Sequence, residues 1–376
     1  MKKLLCTAAV AGLCAVAAAP AMAQGDQSAL ELSLGGYFRG YVTYASQDTA
    51  TGSEERHIDI LRDTEVHFTG ETTLDNGLTV GVHVEAEADM GDGFAVDESY
   101  MYTSGSWGRV NFGGEDGAAY LLQVAAPSAD SNYDGIRQYV DAVNYDIAPA
   151  AFTSLQDLSW DYAQDPTGST DKITYLSPVF NGFQAGVSYT PEVNVTGTTT
   201  LAGSRGLGGV SENDEIDAFG SAWELAARYE GQFDAFGLTL GAGYTHGDLE
   251  EETGSVTFED DYKVWNVGAA VTFGGFGVGV AYKDDNQGMD DMDRDTLVLG
   301  ADYTTGPWKL GASWYNDDIE NFSGTDELES DRYAGGVTYT YGPGMTFRGS
   351  VQYIDHEVGA DDMDAKSFLL GTQVNF

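Results

Sequence analysis

The sequence predicts an all-β protein, a single transmembrane antiparallel barrel of sixteen strands. Apolar and polar residues alternate with a period of two from Leu32 to Phe376. Short turns alternate with long acidic connections, and aromatic residues on the apolar faces collect at both ends of the strands. Because successive side chains of a strand point to opposite faces, this pattern suits a barrel with lipid outside and water inside.

The composition argues against two classes of protein. The chain has 376 residues, with 60 Asp and Glu against 17 Lys and Arg, and a formal net charge of −43. Hydrophobic residues make up 42% and aromatic residues 12%, which is too much for a disordered acidic segment. The negative charge argues against nucleic acid as a partner, because phosphates are bound by Lys and Arg.

The first 23 residues have the parts of a secretory signal peptide. Two lysines precede an apolar run over residues 4–19, and a small-residue cleavage site ends at Ala23. We predict that residues 24–376 form one barrel domain. Both cysteines, Cys6 and Cys14, lie in the segment removed, so we expect a mature chain without disulfides, zinc–thiolate sites or a cysteine nucleophile.

The alternation places the strands one after another. In the first strand Leu32, Phe38 and Val42 share one face, whereas Arg39 and Tyr41 lie on the other. The first seven predicted strands cover residues 32–44, 58–71, 78–89, the two segments that flank the turn 105–108, 172–176 and 183–189. The other nine cover residues 223–230, 238–244, 264–273, 276–282, 297–303, 308–314, 333–341, 345–353 and 368–376.

One segment has a helical alternative. Residues 264–282 are uncharged and numerous enough to span a bilayer as a helix. Each glycine inside such a helix would cost about 1 kcal/mol relative to alanine. The period of two, interrupted by Gly274-Gly275, favours two strands joined by a tight turn.

Turn lengths test the assignment of faces, since a slip of one residue turns every side chain to the other face. Phe273 and Phe276 can oppose each other across two glycines. Residues 75–77 must form a three-residue turn, with Gly77 in the left-handed region. Three residues, 342–344, must likewise separate Tyr341 from Met345.

The longer, acidic connections follow the odd-numbered strands, whereas short turns follow the even-numbered ones, as in outer-membrane barrels. The predicted long connections are residues 46–57, 90–97, 114–171, 190–218, 246–261, 284–294, 316–330 and 354–365.

The aromatic residues distinguish a barrel from a soluble β-sandwich. A sandwich would place them in the middle of strands, facing a partner sheet. Here Trp223 and Tyr244 lie at loop-side ends, and Phe273 and Trp308 at turn-side ends. Two such belts are typical of strands that cross a bilayer, because amphipathic rings favour the headgroup level.

Three segments resemble the Gram-negative general diffusion porins, which are trimeric sixteen-stranded barrels. They are Tyr-Leu-Ser-Pro-Val-Phe-Asn-Gly-Phe at 175–183, Gly-Arg-Val-Asn-Phe-Gly at 108–113, and the terminal Phe376 in alternation with Phe368, Leu370 and Val374. The resemblance implies an outer-membrane location, contact with the lipid bilayer and lipopolysaccharide, a homotrimer, and recognition of Phe376 by the barrel assembly machinery. It also implies periplasmic short turns and extracellular long loops.

The resemblance further implies that the connection 114–171 folds into the barrel and narrows the pore. Its acidic residues would face a basic wall across the constriction, and the resulting transverse field would orient dipolar solutes. The acidic candidates are Asp116, Asp130, Asp134, Asp141 and Asp146, and the basic candidates are Arg39, Arg109, Lys172, Arg228 and Arg348. The alternative is that each basic residue merely pairs with a neighbouring acid.

The second and third strands depart from a basic wall, because Glu65, Glu85 and Glu87 face inward there. We therefore predict passive diffusion of small hydrophilic solutes and ions with a mild cation preference. Two alternatives remain, a substrate-specific channel and an acidic, non-conducting surface or adhesin barrel.

The outer row of the early strands includes small and polar residues, namely Gly36, Gly40, Arg62, Thr64, Gly70 and Thr72, whereas the later strands carry Trp, Tyr, Phe and Leu there. We place the trimer interface on strands one to five. A bulge that turns Arg62 inward is the competing account.

Nothing in the sequence points to an enzyme. The five histidines are scattered, with no zinc-protease or serine-hydrolase motif. His67 and Glu85 share the lumen face, where we expect a hydrogen bond of the wall rather than a metal or catalytic site. We predict no required cofactor.

Residues 130–135 match the start of a calcium loop, Asp-x-Asn-x-Asp-Gly, and Asp141 stands at the twelfth position. The absence of a Glu at that position and the presence of Arg137 argue against an EF-hand. The alternatives are a solvated acidic turn and a structural Ca²⁺ site in the constriction loop, with the candidate ligands Asp130, Asn132, Asp134 and Asp141.

Overall fold

The computed structural model describes residues 30–88, 94–130, 136–193, 218–250, 258–322 and 326–376. No helix in these ranges is both long and apolar enough to cross a membrane. The sixteen strands are β1 Glu31–Gln47, β2 Ile58–Thr73, β3 Thr79–Glu87, β4 Ala95–Gly105, β5 Gly108–Gly114, β6 Asp171–Leu176, β7 Phe183–Thr190, β8 Phe219–Phe233, β9 Phe236–Leu249, β10 Tyr262–Phe273, β11 Phe276–Asp285, β12 Arg294–Thr305, β13 Trp308–Ile319, β14 Leu328–Gly342, β15 Met345–Val358 and β16 Asp361–Asn375.

The strands form one closed antiparallel barrel. Each strand pairs with its neighbours in the sequence, and β1 pairs with β16 from Tyr37 opposite Asn375 to Gln47 opposite Ala365. The backbone of Phe376 continues this seam through two hydrogen bonds with Gly36. The predicted fold class and strand number are therefore confirmed.

The two faces of the strands also follow the prediction. Apolar side chains such as Leu34, Ile60, Leu225 and Val351 are exposed on the outside, whereas polar residues face inward. Neighbouring outward rings contact each other at both ends of the barrel. Tyr189 and Trp223 are 4.5 Å apart between ring centroids at the loop side, and Phe276 and Tyr303 are 4.3 Å apart at the turn side.

The lengths of the tight turns agree with the predicted assignment of side chains to the inner and outer faces. Phe273 pairs with Phe276 across two glycines, which excludes the helical alternative. Gly77 has a positive φ of 80°. The backbone N–H of Leu74 donates a hydrogen bond to the carbonyl of Leu78 across the three-residue turn. The turn before β15 differs in detail, because Gly342 rather than Tyr341 pairs with Met345 and a bulge at this point keeps the parity.

The last predicted long connection, 354–365, is wrong. Strands β15 and β16 continue to Val358 and Asp361, so only Gly359-Ala360 separates them. In this segment the apolar residues lie on the inner face and the polar residues on the outer face, the reverse of the earlier part of each strand. Ile354 and Met363 are buried on the inside, whereas Asp355 and Asp362 stand on the opposite face. A strand that extends beyond the lipid needs no apolar outer face, so the apolar pattern ended before the strand did.

The predicted alternative of a bulge at Arg62 is also wrong. The pairing of β1 with β2 runs without a break from Glu31 to Tyr44, and Arg62 lies opposite Gly40. Arg62 therefore stays exposed on the outer row. An irregularity does occur between Glu85 and Ala86, where β3 pairs with β4.

Candidate functional site

The connection between β5 and β6 lies inside the barrel. It contains a helical turn, Ala118–Leu121, and two 3₁₀ segments, Tyr145–Ile147 and Ala150–Asp157. Seven of its buried apolar residues pack against the inner faces of the later strands in one cluster, formed by Ala126, Tyr145, Ala148, Phe152, Leu155, Trp160 and Tyr162 with Ala281, Val298, Tyr315, Ile319, Leu328, Val358 and Met363. Burial of this apolar area holds the connection against one side of the wall.

Inward-facing glycines form a groove for this connection, which we call the glycine track. It consists of Gly186, Gly241, Gly243, Gly268, Gly279, Gly300, Gly311 and Gly336, on seven strands between β7 and β14. A Cβ atom at Gly300 would lie 3.0 Å from the carbonyl carbon of Pro127 and closer still to its oxygen. The track thus lets residues 118–130 lie directly on the wall. The groove could have been predicted from the sequence, because glycine recurs at inward positions of β7 and of β9 to β14.

Three of the predicted basic residues form hydrogen bonds or ion pairs with the connection. The Arg228 guanidinium donates to the carbonyl of Gln123 at 3.1 Å, and Arg348 lies 3.7 Å from the carboxylate of Asp130. Lys172 is buried and donates to the carbonyls of Glu115 and Gly168, near the two ends of the connection. These three cations therefore act as anchors of the connection.

The other two predicted basic residues contact aromatic rings, and the ring beside Arg39 belongs to the connection. Arg39 is buried and pairs with Asp63 at 2.9 Å, and its guanidinium lies 3.7 Å from the ring centre of Tyr139. Arg109 lies 4.0 Å from the ring centre of Tyr102. Asp63 offsets the charge of Arg39, so this part of the wall is not strongly basic.

Three further arginines, which were not among the predicted basic candidates, also contact residues of the connection. Arg137, in the connection itself, pairs with Asp116 at 3.0 Å and with Asp165 at 2.6 Å. Burial raises the pKa of Asp116 well above its usual range, and the charge of Asp165 raises it further. Arg294 and Arg332 lie on the wall and donate to backbone carbonyls of the connection. Their inward positions on β12 and β14 were the available signal.

The remaining acidic candidates of the connection are dispersed. Asp130 is buried and accepts a hydrogen bond from Tyr41 at 2.7 Å. Asp141 accepts from the backbone of Val143 at 2.9 Å, and burial raises its pKa to about 6. Asp146 is exposed. Asn132 and Asp134 lie outside the described residues, so the calcium site stays a prediction.

The inner faces of β2, β3 and β4 carry a cluster of carboxylates, which we call the acidic wall. Its members are Glu65, Glu85, Glu87, Asp97 and Glu98. Glu65 lies directly opposite Glu87, and Glu85 lies opposite both His67 and Glu98. Asp97 enters the cluster at the irregularity of β4 and accepts a hydrogen bond from Ser169 at 3.2 Å. Five basic residues of the wall, by contrast, make polar contacts with the connection, namely Lys172, Arg228, Arg294, Arg332 and Arg348.

A sequence model of the Gram-negative porin family matches residues 7–359. An anion-selective porin from Comamonas acidovorans is similar in structure, with a TM-score of 0.62 and 16% identity, covering 93% of this chain and all of that chain. A mutant of the Rh. blastica porin has a TM-score of 0.56 and 20% identity, with 92% of this chain and all of that chain covered.

Curated relatives occur in Rickettsia. An uncharacterised protein of Rickettsia conorii is 26% identical over 231 residues, which are 49% of this chain and 52% of the relative. The chain thus spans about half the length of that relative. An uncharacterised protein of Rickettsia felis is 21% identical over 342 residues, which are 75% of this chain and 76% of the relative.

Proposed function

Since the chain belongs to the Gram-negative porin family, we propose that it forms a water-filled outer-membrane channel for passive diffusion of small hydrophilic solutes and ions. We further propose a mild preference for cations. The acidic wall is the observation that carries this preference, because Glu65, Glu85 and Glu87 face the lumen while Arg228, Arg348 and Lys172 hold the connection.

The physical basis of the preference is local concentration. Carboxylates that line a narrow lumen with low-dielectric walls focus a negative potential, which raises the concentration of cations at the constriction. The effect weakens with salt, since the Debye length falls from about 10 Å at 0.1 M to about 3 Å at 1 M.

The reversal potential in a planar bilayer tests the cation preference. We expect a cation-to-anion permeability ratio above one at low salt, decreasing toward one as the salt concentration rises. Glu87→Gln/Asp97→Asn should lower the low-salt ratio, whereas Asp146→Asn, a change of an exposed acid away from the acidic wall, should leave it unchanged. A preference for anions in the wild type would contradict the proposal.

Conductance also distinguishes the two alternatives. A substrate-specific channel would conduct ions until its solute blocks the current. A surface or adhesin barrel would carry no current, even though it would show the heat-modifiable gel shift of a folded barrel. The family and the fold are those of channel proteins rather than enzymes.

We propose a homotrimer whose interface includes the outer row of β1 to β5. Gly36, Gly40 and Gly70 lie on this row, and Arg62 is exposed there. Small and polar residues are poor partners for lipid chains but suit contact between subunits. Contact with lipopolysaccharide, removal of residues 1–23 and recognition of Phe376 by the assembly machinery remain part of the same proposal.

The stability of the folded protein should fall as the pH rises from about 5 to about 8. Burial raises the pKa of Glu115 from 4.5 to about 7, although Arg109 and Lys172 lower it in part. The folded state therefore holds a proton that the unfolded state releases, and this advantage disappears above the folded pKa. One unit of difference in pKa is about 1.4 kcal/mol, so the free energy of unfolding should fall by about 3 kcal/mol at most. Denaturant unfolding at both pH values measures it.

Glu115→Gln is the matched variant for this effect. It keeps the size of the side chain but cannot ionise, so its stability should change less between the two pH values. Equal pH dependence in both proteins would mean that Glu115 is not the group responsible.

We also retain structural Ca²⁺ as a proposal. Asp130 already contacts Tyr41 and Arg348, so its removal would disturb the connection whether or not an ion binds. Asp134→Ala is the better test, with Asp146→Ala as the control. We expect millimolar Ca²⁺ to raise the unfolding temperature of the wild type and the control by a few degrees but not that of Asp134→Ala. Equal responses in all three proteins would exclude this site.

A further inference from the structure

Two imidazoles and two carboxylates converge on the lumen face of β2 and β3. His67 Nε2 lies 2.9 Å from Glu65 Oε2 and 3.8 Å from Glu85 Oε2. His83 Nε2 lies 2.6 Å from the other oxygen, Oε1, of Glu85. Ligand atoms of His67, His83 and Glu85 all lie within 4.8 Å of one another.

The strand register creates this arrangement. The sequence Glu65-x-His67 on β2 runs antiparallel to His83-x-Glu85 on β3, and His67 stands directly opposite Glu85. Directly opposite residues have Cβ atoms about 5 Å apart, so side chains of this length meet above the sheet. The turn 75–77 fixes the register, since it pairs Thr73 with Thr79.

These four groups have the chemistry of a site for a borderline divalent metal ion. Zn²⁺ binds imidazole nitrogen and carboxylate oxygen at about 2.0–2.2 Å, in a tetrahedron of four ligands. The present separations between ligand atoms require small side-chain shifts to reach that geometry. Two carboxylates with two neutral imidazoles would also balance the charge of the ion.

The surroundings hold the imidazoles in place and leave a path for an ion. The hydroxyl of Thr69 lies 2.7 Å from His83 Nδ1, which leaves Nε2 directed at the carboxylates. A metal-binding histidine commonly makes such a contact through its second nitrogen. The ring of Tyr37 meets His67 edge-on, and His83 contacts Tyr100. The four side chains are mostly buried but keep between 14% and 22% exposure.

We propose that His67, His83 and Glu85, with Glu65 as fourth ligand, bind a divalent transition-metal ion such as Zn²⁺ on the lumen wall. The hydrogen bonds seen between these groups occupy the same positions that the ion would take. The neighbouring set of Glu65, Glu87 and Asp97 offers only oxygen, which suits Mg²⁺ or Ca²⁺ instead. Because two of its ligands are imidazole nitrogens, the proposed site should bind Zn²⁺ more tightly than Mg²⁺ or Ca²⁺.

Calorimetric titration of the tag-free, detergent-solubilised protein with ZnCl₂ tests the site. We expect one tight Zn²⁺ site per chain in the wild type and a much weaker response to MgCl₂. His67→Ala/His83→Ala should weaken Zn²⁺ binding by at least tenfold to a hundredfold. His57→Ala/His246→Ala, which removes two histidines outside this cluster, should retain the tight site.

The folded state of each variant is checked by its heat-modifiable gel shift before titration. Undiminished affinity in His67→Ala/His83→Ala would overturn the proposal. So would equal affinities for Zn²⁺ and Mg²⁺, or no saturable Zn²⁺ binding in the wild type below about 1 mM. The measurement needs no current through the barrel, so its outcome is independent of the proposed channel function.

Discussion

Replacement of Arg294 by methionine is expected to destabilise the folded barrel by about 3–5 kcal/mol. Arg294 Nε lies 3.0 Å from both carboxylate oxygens of Asp317, and Nη2 lies 2.8 Å from one of them. The side chain of Asp317 has no solvent exposure and also accepts a hydrogen bond from Thr296 at 2.7 Å. Without the guanidinium, a charged carboxylate would remain buried without its counter-ion, which is the costly outcome.

Denaturant unfolding in detergent measures this loss. The same two strands provide a control, because Lys309 pairs with Asp302 at 3.2 Å but is 34% exposed. Lys309→Met should cost less than about 1 kcal/mol. Arg294→Met/Asp317→Leu removes both charges and should recover much of the stability. If Arg294→Met and Lys309→Met lost the same stability, the buried pair would not have the role assigned to it.

Valine at Gly300 is expected to displace the connection from the wall and to destabilise the barrel by about 1–3 kcal/mol. The backbone of Pro127 occupies the position that the new side chain needs, with its nitrogen 3.1 Å from the added Cβ atom. A backbone atom cannot rotate away as the end of a flexible side chain can. The connection must therefore move, and its apolar contacts with the later strands must loosen.

Gly335→Val is the matched control for this substitution. Gly335 lies on the outer face of β14, where an added Cβ atom would meet Val351 at 3.6 Å and the carbonyl oxygen of Gly311 at 3.9 Å, both ordinary contacts. Both variants exchange glycine for a β-branched residue that strands favour. A large loss for Gly300→Val alone, in unfolding temperature and in the gel-shift transition, is the expected result. Similar, small effects in both variants would argue against close contact between Pro127 and the wall.

The strands could be predicted because lipid imposes a strict rule on them. Each lipid-facing position must be apolar, so Leu225, Val351 and their equivalents mark both the strands and their faces. Where the strands leave the lipid, the rule no longer holds. His356 and Met363 then face the connection, and their segment was wrongly predicted to be a loop because its outer face is polar.

The packing of the connection could not be predicted in the same way, because no period relates its residues to the wall. The inward positions of Arg228 and Arg348 could be predicted from the alternation of side chains along their strands. Their contacts with Gln123 and Asp130, however, depend on the path of the connection. Arg137 belongs to the connection itself, so parity says nothing of its pairing with Asp116. That His67 stands opposite Glu85 on the neighbouring strand, by contrast, could be predicted from a turn of known length.

The seam between β1 and β16 has a kinetic consequence. It joins positions as far apart in the sequence as Arg39 and Gln373, which are separated by 334 positions. The cylinder cannot close until the last strand is available, and contacts between such distant residues form slowly. Until then the first strand presents a free hydrogen-bonding edge, which is prone to pair with other chains. Slow maturation, with a need for a chaperone that shields this edge before insertion, is the expected behaviour of the chain.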